Sequence, residues 1–238
     1  MIATYRLSQH IPSFEFFNWL VMAIADGATE IVFDISNPKT IKAHTDFGLD
    51  NVLQRFRSIV EPGPALAGLS SRKGSDHSTI DPTASRLLPW FKSGRDFSRL
   101  QSVKAPIDCK FTVTIRENKT GGAKGRDSNR DAWETFAADI GAVVIDDYCR
   151  RPIHLHDRIA LYAGARMNFG VCNGPVHMLS LTPYPVAMWI NTQSAYDSQA
   201  RWGIQPNQKY PWMLENQTMI WRKDTVENLR RAFDEMKL

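Results

Sequence analysis

The sequence predicts an α/β protein of two Rossmann-like lobes whose parallel sheets face a central cleft, and three observations carry that expectation. Short apolar runs of strand length alternate with amphipathic stretches of helix length, the rhythm of β-α-β units that make neighbouring strands parallel. The rhythm degrades once, between about residues 70 and 102, and then restarts. The 238 residues, 43% hydrophobic and 23% charged, have the composition of a globular chain and length for one large domain or two small ones. A boundary after residue 102 divides the chain into lobes 1–102 and 103–238.

In the first lobe, residues 3–8 read as a strand, and Ser13 as the N-cap of a helix whose buried face is Phe16, Phe17, Leu20, Val21 and Ile24. Gly27 closes that helix. Residues 29–35 form a buried-type strand ending near Asp34, and residues 49–60 a second helix stopped by Pro62-Gly63-Pro64. The polar stretch 70–77, with Arg72 and Lys73, reads as a mobile loop followed by a linker.

In the second lobe, Phe111, Val113 and Ile115 alternate with Thr112 and Thr114, the period-two pattern of a strand over residues 108–117. Asp127 or Ser128 is the expected cap of a helix carrying Trp133, Phe136, Ala137 and Ile140, which Gly141 ends. Residues 142–145 supply a strand finishing at Asp146-Asp147, and 156–165 a helix. Residues 167–172 read as a buried strand that Asn173-Gly174-Pro175 breaks, where proline suits the first turn of a helix. Val176, Met178, Leu179 and Leu181 cover its inner face, residues 185–190 return as a strand, and 225–236 form an amphipathic last helix.

Charge and cysteine usage narrow the function classes. The net charge of +4 and pI near 9.0 suit an anionic small ligand better than nucleic acid, because lysine and arginine form no long basic run. Cys109, Cys149 and Cys172 are an odd number without a Cys-x-x-Cys pair, which predicts a reducing, cytoplasmic setting. The apolar run 16–25 is too short to span a bilayer and lacks a basic flank, so no export or transmembrane segment is expected. The P-loop, the Gly-x-Ser-x-Gly elbow and the Gly-x-Gly-x-x-Gly fingerprint are all absent, which weakens ATPase, serine hydrolase and dinucleotide oxidoreductase readings.

The chemistry-bearing candidates collect at strand ends. Arg116 follows a strand where open α/β sheets place their ligand crevices, and its guanidinium is a fixed fork for phosphate or carboxylate. The turn Asn173, Gly174, Pro175 and Val176 opens a helix whose free N–H groups favour an anion. His177 falls in the same first turn, either protonated against a phosphate or satisfied by backbone. The loop 118–129 and the residue after it add Lys119, Lys124, Arg126 and Arg130 beside three glycines, a basic loop able to close over a phosphate or simply to be solvated. His10 and Asp34 at strand ends of the first lobe are the candidate general bases, with nothing to choose between them. Asp146-Asp147 suits capping or a ligand hydroxyl better than a metal, and His154-Leu-His156 lacks the partners zinc needs, so no metal site is expected. Trp189, Trp202, Trp212 and Trp221 could stack on a sugar or base but read as core or interface anchors.

Val113-Thr-Ile-Arg-Glu117, Asn129-Arg-Asp-Ala-Trp133 and Gly170-Val-Cys-Asn-Gly-Pro-Val-His177 together resemble the carboxyl-terminal lobe of GT-B glycosyltransferases, in particular the heptosyltransferase-like and fucosyltransferase-like groups. The resemblance covers about the last half of the chain. It implies a compact GT-B-like enzyme that moves a sugar from a nucleotide-diphosphate sugar to a glycan or other acceptor hydroxyl, with no resident cofactor and no metal. It places Arg116, Asn173, Gly174, Pro175 and Val176 on the donor and makes the first lobe the acceptor side. Two departures stand out. Cys172 and Asn173 replace the acidic residue and the serine or threonine that precede Gly-Pro in the heptosyltransferase-like pattern, which leaves the donor open. The first lobe carries no matching motif, which leaves the acceptor open and keeps an alternative: a non-catalytic nucleotide- or partner-binding protein with a degenerate transferase fold.

Overall fold

The computed structural model describes residues 1–6, 14–34, 59–74, 87–117, 125–146 and 153–238. They divide into two compact units, Met1–Val103 and Lys104–Leu238. His10, Ser13, Lys119, Lys124, Asp147, Cys149 and most of the expected helix 49–60 lie outside the described residues.

The first unit contains β1 (Ile2–Arg6), α1 (Glu15–Ala25), β2 (Glu30–Asp34), α2 (Pro62–Ala67), β3 (Ser70–Gly74) and α3 (Leu87–Lys92). Its sheet runs β1-β2-β3 with every pairing parallel, and Arg6, Asp34 and Gly74 stand in register at the carboxyl edge. Residues 16–23 of α1 are all buried, Asn18 included, so this helix is enclosed on all sides rather than along one stripe. Its core is aromatic: Tyr5 meets Phe16 and Trp19 edge-on at 5.0 and 5.1 Å. Two expectations are corrected. The stretch expected as a mobile loop begins with strand β3, whose Ser-Ser-Arg-Lys-Gly sequence has no apolar pattern and is held by its backbone pairing to β2. The Pro-Gly-Pro segment forms helix α2, tolerated because proline in a first turn lacks an N–H that would have no partner there.

The second unit contains β4 (Cys109–Ile115), α4 (Arg130–Ile140), β5 (Val143–Asp146), α5 (Leu155–Gly164), β6 (Ala165–Val171), α6 (Gly174–Leu179), β7 (Val186–Trp189), α7 (Gln193–Arg201), β8 (Gln217–Ile220) and α8 (Val226–Glu235). All five strands are parallel in the order β5-β4-β6-β7-β8. Counted within the unit this is 2-1-3-4-5, a doubly wound order that reverses direction between β4 and β6. Helix α4 is capped by Asn129, whose side chain accepts from Ala132 N, rather than by Asp127 or Ser128, and Gly141 ends it in the left-handed region at φ 66°.

The two faces of this sheet differ because alternate residues point to opposite sides. One face carries Phe111, Val113, Phe169 and Trp189 against Trp133 and Phe136 of α4 and Leu229 of α8. The other carries Thr112, which donates to Asn168, and Thr114, which shares a hydrogen bond with the Tyr162 hydroxyl of α5, while Asn168 donates to the Tyr162 carbonyl. Among the described residues no helix is long and apolar enough to cross a membrane.

Candidate functional site

Doubly wound sheets receive ligands beyond the carboxyl ends of the strands at which the order reverses, and in this sheet those strands are β4 and β6. Arg116 follows β4 and Cys172-Asn173 follows β6, so the sheet order brings together residues 56 positions apart in sequence.

Gly170 sets how closely the turn sits. A Cβ there would lie 2.8 Å from Val176 Cγ2 and 2.9 Å from Thr114 O, so only glycine lets α6 settle onto the β4–β6 seam. Val176 is buried and serves this packing. The turn is largely self-satisfied: Asn173 Oδ1 accepts from Val176 N at 2.9 Å, and Asn173 O from His177 N at 2.7 Å. Pro175 has no N–H, so of the first-turn donors Gly174 N–H is the one left for an outside acceptor. Helix α6 is also shorter than expected, ending at Leu179 with Ser180 as its cap. The backbone cradle for an anion is therefore weaker than the sequence suggested.

Two guanidiniums carry the positive charge here. Arg116 is fixed by backbone and side chain: its N donates to Ser128 Oγ at 2.8 Å, its O accepts from Ser128 N, and its Nη1 donates to Arg126 O at 3.2 Å. Asp127 Oδ1 lies 3.8 Å from Arg116 Nε. Arg126 in turn donates from Nη1 to Ser198 Oγ at 3.0 Å, and Thr192 and Asn191 tie down the carbonyls of Gly125 and Asp127. The segment 125–129 is thus a strap fastened to the carboxyl end of β7 and to α7. Asn191 Oδ1, in a side chain only 3% exposed, accepts no hydrogen bond.

Behind the turn lies a polar and aromatic cluster. Cys172 Sγ accepts from Gln199 Nε2 at 3.2 Å and sits 3.9 Å from Tyr210 OH, which donates to Gln199 Oε1 at 2.7 Å. Burial raises the Cys172 thiol pKa, opposed by the Tyr210 and Gln199 contacts and by the charges of Arg126 and Arg116. The thiol is therefore protonated near neutrality. His177 meets Tyr210 edge-on at 5.1 Å, and burial lowers its pKa to about 4. It is a neutral packing residue near pH 7, which replaces the expectation of a protonated ring on a phosphate. Tyr210 stacks on Trp212 at 4.8 Å, and Trp212 Nε1 donates to Ser180 Oγ.

The other candidates resolve separately. Asp34 is buried at the end of β2 in the first unit. Asp146 accepts from Arg130 Nη2 at 2.8 Å in a cluster with Glu117 and Glu134. His154 and His156 stack on each other at 5.3 Å, and His154 caps α5. Among the described residues no group of three His, Cys, Asp or Glu side chains is placed to hold a metal ion. Sequence reasoning did not reach Asn191 or Gln199, and it named Arg126 only as one of four cations of a basic, glycine-bearing loop after Arg116. No family model, curated protein or solved structure matches the chain.

Proposed function

We propose that the chain is a glycosyltransferase that takes a sugar from a nucleotide-diphosphate donor held at the carboxyl edge of the second sheet. One observation carries the reading: Arg116 and the Asn173-Gly174-Pro175 turn end the two strands that flank the reversal of strand order, with Arg126 strapped beside them. Charge develops on the leaving diphosphate as the glycosidic bond breaks. Guanidiniums fixed in advance stabilise that charge without reorganising, and Gly174 N–H adds one donor. No metal is required for this role. His10 and Asp34 stay the candidates of this reading for activating the acceptor hydroxyl.

A nucleotide-binding protein without turnover is the second reading, favoured by the use of Val176 N–H and His177 N–H inside the turn. Thermal unfolding against nucleoside monophosphates, diphosphates and nucleotide sugars, with and without magnesium, tests both, since a ligand bound only by the folded state raises the melting temperature. The proposal expects a shift with one nucleoside diphosphate, independent of magnesium, and slow hydrolysis of its sugar conjugate. Binding without hydrolysis or transfer selects the second reading. Arg116→Ala is expected to weaken nucleotide affinity at least tenfold, and unchanged affinity would remove the site from this edge.

A further inference from the structure

A cavity of about 670 Å³ runs along edge strand β8 beside α8, and its walls include neither Arg116, Arg126 nor the Asn173 turn. Its volume is in the range of small-ligand sites, roughly 300–1,000 Å³. One wall holds Trp221, a ring fixed from two directions. Tyr196 stacks on it at 5.2 Å with the planes 9° apart, and its Nε1 donates to Gln208 O at 2.9 Å. The rim carries the amides of Asn207 and Asn216, and Asn216 Nδ2 donates to Pro183 O. Met219 and Met236 supply apolar surface.

The charged side chains of the lining cancel. Arg222 is paired with Glu235 at 3.1 Å, and Arg166 is matched in number by Glu215. A nucleotide or a fatty-acid head would need a surplus of positive charge, which this lining lacks. A purely apolar guest would strip water from two amides and a carboxylate without replacing it. A sugar matches both halves of the surface. Its hydroxyls donate and accept, as an amide does, and its C–H face lies against a flat aromatic ring.

We propose that this groove binds a neutral oligosaccharide, at a site distinct from the nucleotide edge. The proposal stands whether or not the chain transfers sugar, because no residue of the donor site takes part in it.

Saturation-transfer NMR on the full chain, with maltotetraose, cellotetraose and chitotetraose as probes and dodecyl phosphate as the anionic arm, tests it. At least one tetrasaccharide is expected to receive saturation, most strongly at its C–H protons. Its affinity should be unchanged between low and high salt, since a neutral ligand is not screened. Trp221→Ala is expected to weaken binding at least tenfold and Trp221→Phe to restore most of it. Asn216→Ala, at an exposed position whose side chain gives up one hydrogen bond to Pro183 O, should weaken binding several-fold. Arg116→Ala should leave it unchanged, which separates failure here from failure at the nucleotide edge. Saturation of dodecyl phosphate alone, of no tetrasaccharide, or of a tetrasaccharide equally well in Trp221→Ala would overturn the proposal.

Discussion

The two faces of the second sheet are held by opposite means. The face under α4 and α8 is a mesh of rings, with Phe136 meeting Phe169 at 5.4 Å and Trp133 meeting Trp189 at 5.2 Å. The face under α5 and α6 is held by hydrogen bonds, from Thr112 to Asn168 at 2.6 Å and from Asn168 to the carbonyls of Tyr162 and Pro185. Apolar burial is non-directional and supplies stability; hydrogen bonds fix direction at a modest net gain. The directional face is the one that seats the Asn173 turn, so it sets where the candidate site lies.

Trp133→Ala is the largest expected break, about 4 kcal/mol, because it opens a large cavity and strips Asp224 of one donor. Urea denaturation measures it. A loss smaller than that of the polar-face variant below would invert the assignment of the two faces.

Lowering the pH tests the seam of α6. The folded-state pKa of His177, about 4, lies below the ordinary value near 6.5, so between those values the unfolded chain takes a proton that the folded chain refuses. Stability from this group is complete above pH 6.5, falls as the pH drops towards 4, and changes no further below that. The loss is about 3 kcal/mol at 1.36 kcal/mol per pH unit. Carboxylates titrate over part of the same window, so the difference between the protein and His177→Leu, followed by urea denaturation from pH 7 to 4, isolates it.

Asn168→Leu keeps the branching of the side chain and removes its hydrogen bonds, leaving Thr112 without its acceptor and the Tyr162 carbonyl without this donor, while Pro185 O keeps the backbone N–H of residue 168; about 2 kcal/mol should be lost. The smallest effect belongs to Asn173→Ala, which removes the cap of α6 at about 1 kcal/mol by the same measurement. Together the last two ask whether the directional face holds its position through the network or through the cap.

The elements legible in the sequence are those whose burial leaves a pattern. Strands β4 and β6, helix α4 and the break at Asn173 could be read because their apolar residues recur at the right period and glycine or proline marks their ends. Strand β3 could not, since its pairing uses backbone groups that every sequence has. Helix α7 buries little beyond Ala195 and Gln199, too few positions to show a stripe, and β8 is only four residues long. Arg116 and the Asn173 turn were legible as strand-end residues. That they belong together follows from strand order, which no local pattern encodes. The reach of Arg126 depends on contacts of its strap with residues more than 60 positions away.

One carboxylate has a consequence for how the second unit is made. Asp224 Oδ2 accepts from Asn129 N at 2.7 Å and from Trp133 Nε1 at 2.8 Å, across 95 and 91 residues, and Phe233 beyond it closes over Phe111. During synthesis the part of the ring-lined face that α8 covers stays open until residues 224–236 have left the ribosome. At about 5–20 residues per second that interval is several seconds to tens of seconds. In that time the exposed rings are the natural landing place for a chaperone, and the window for aggregation closes only when the last helix docks.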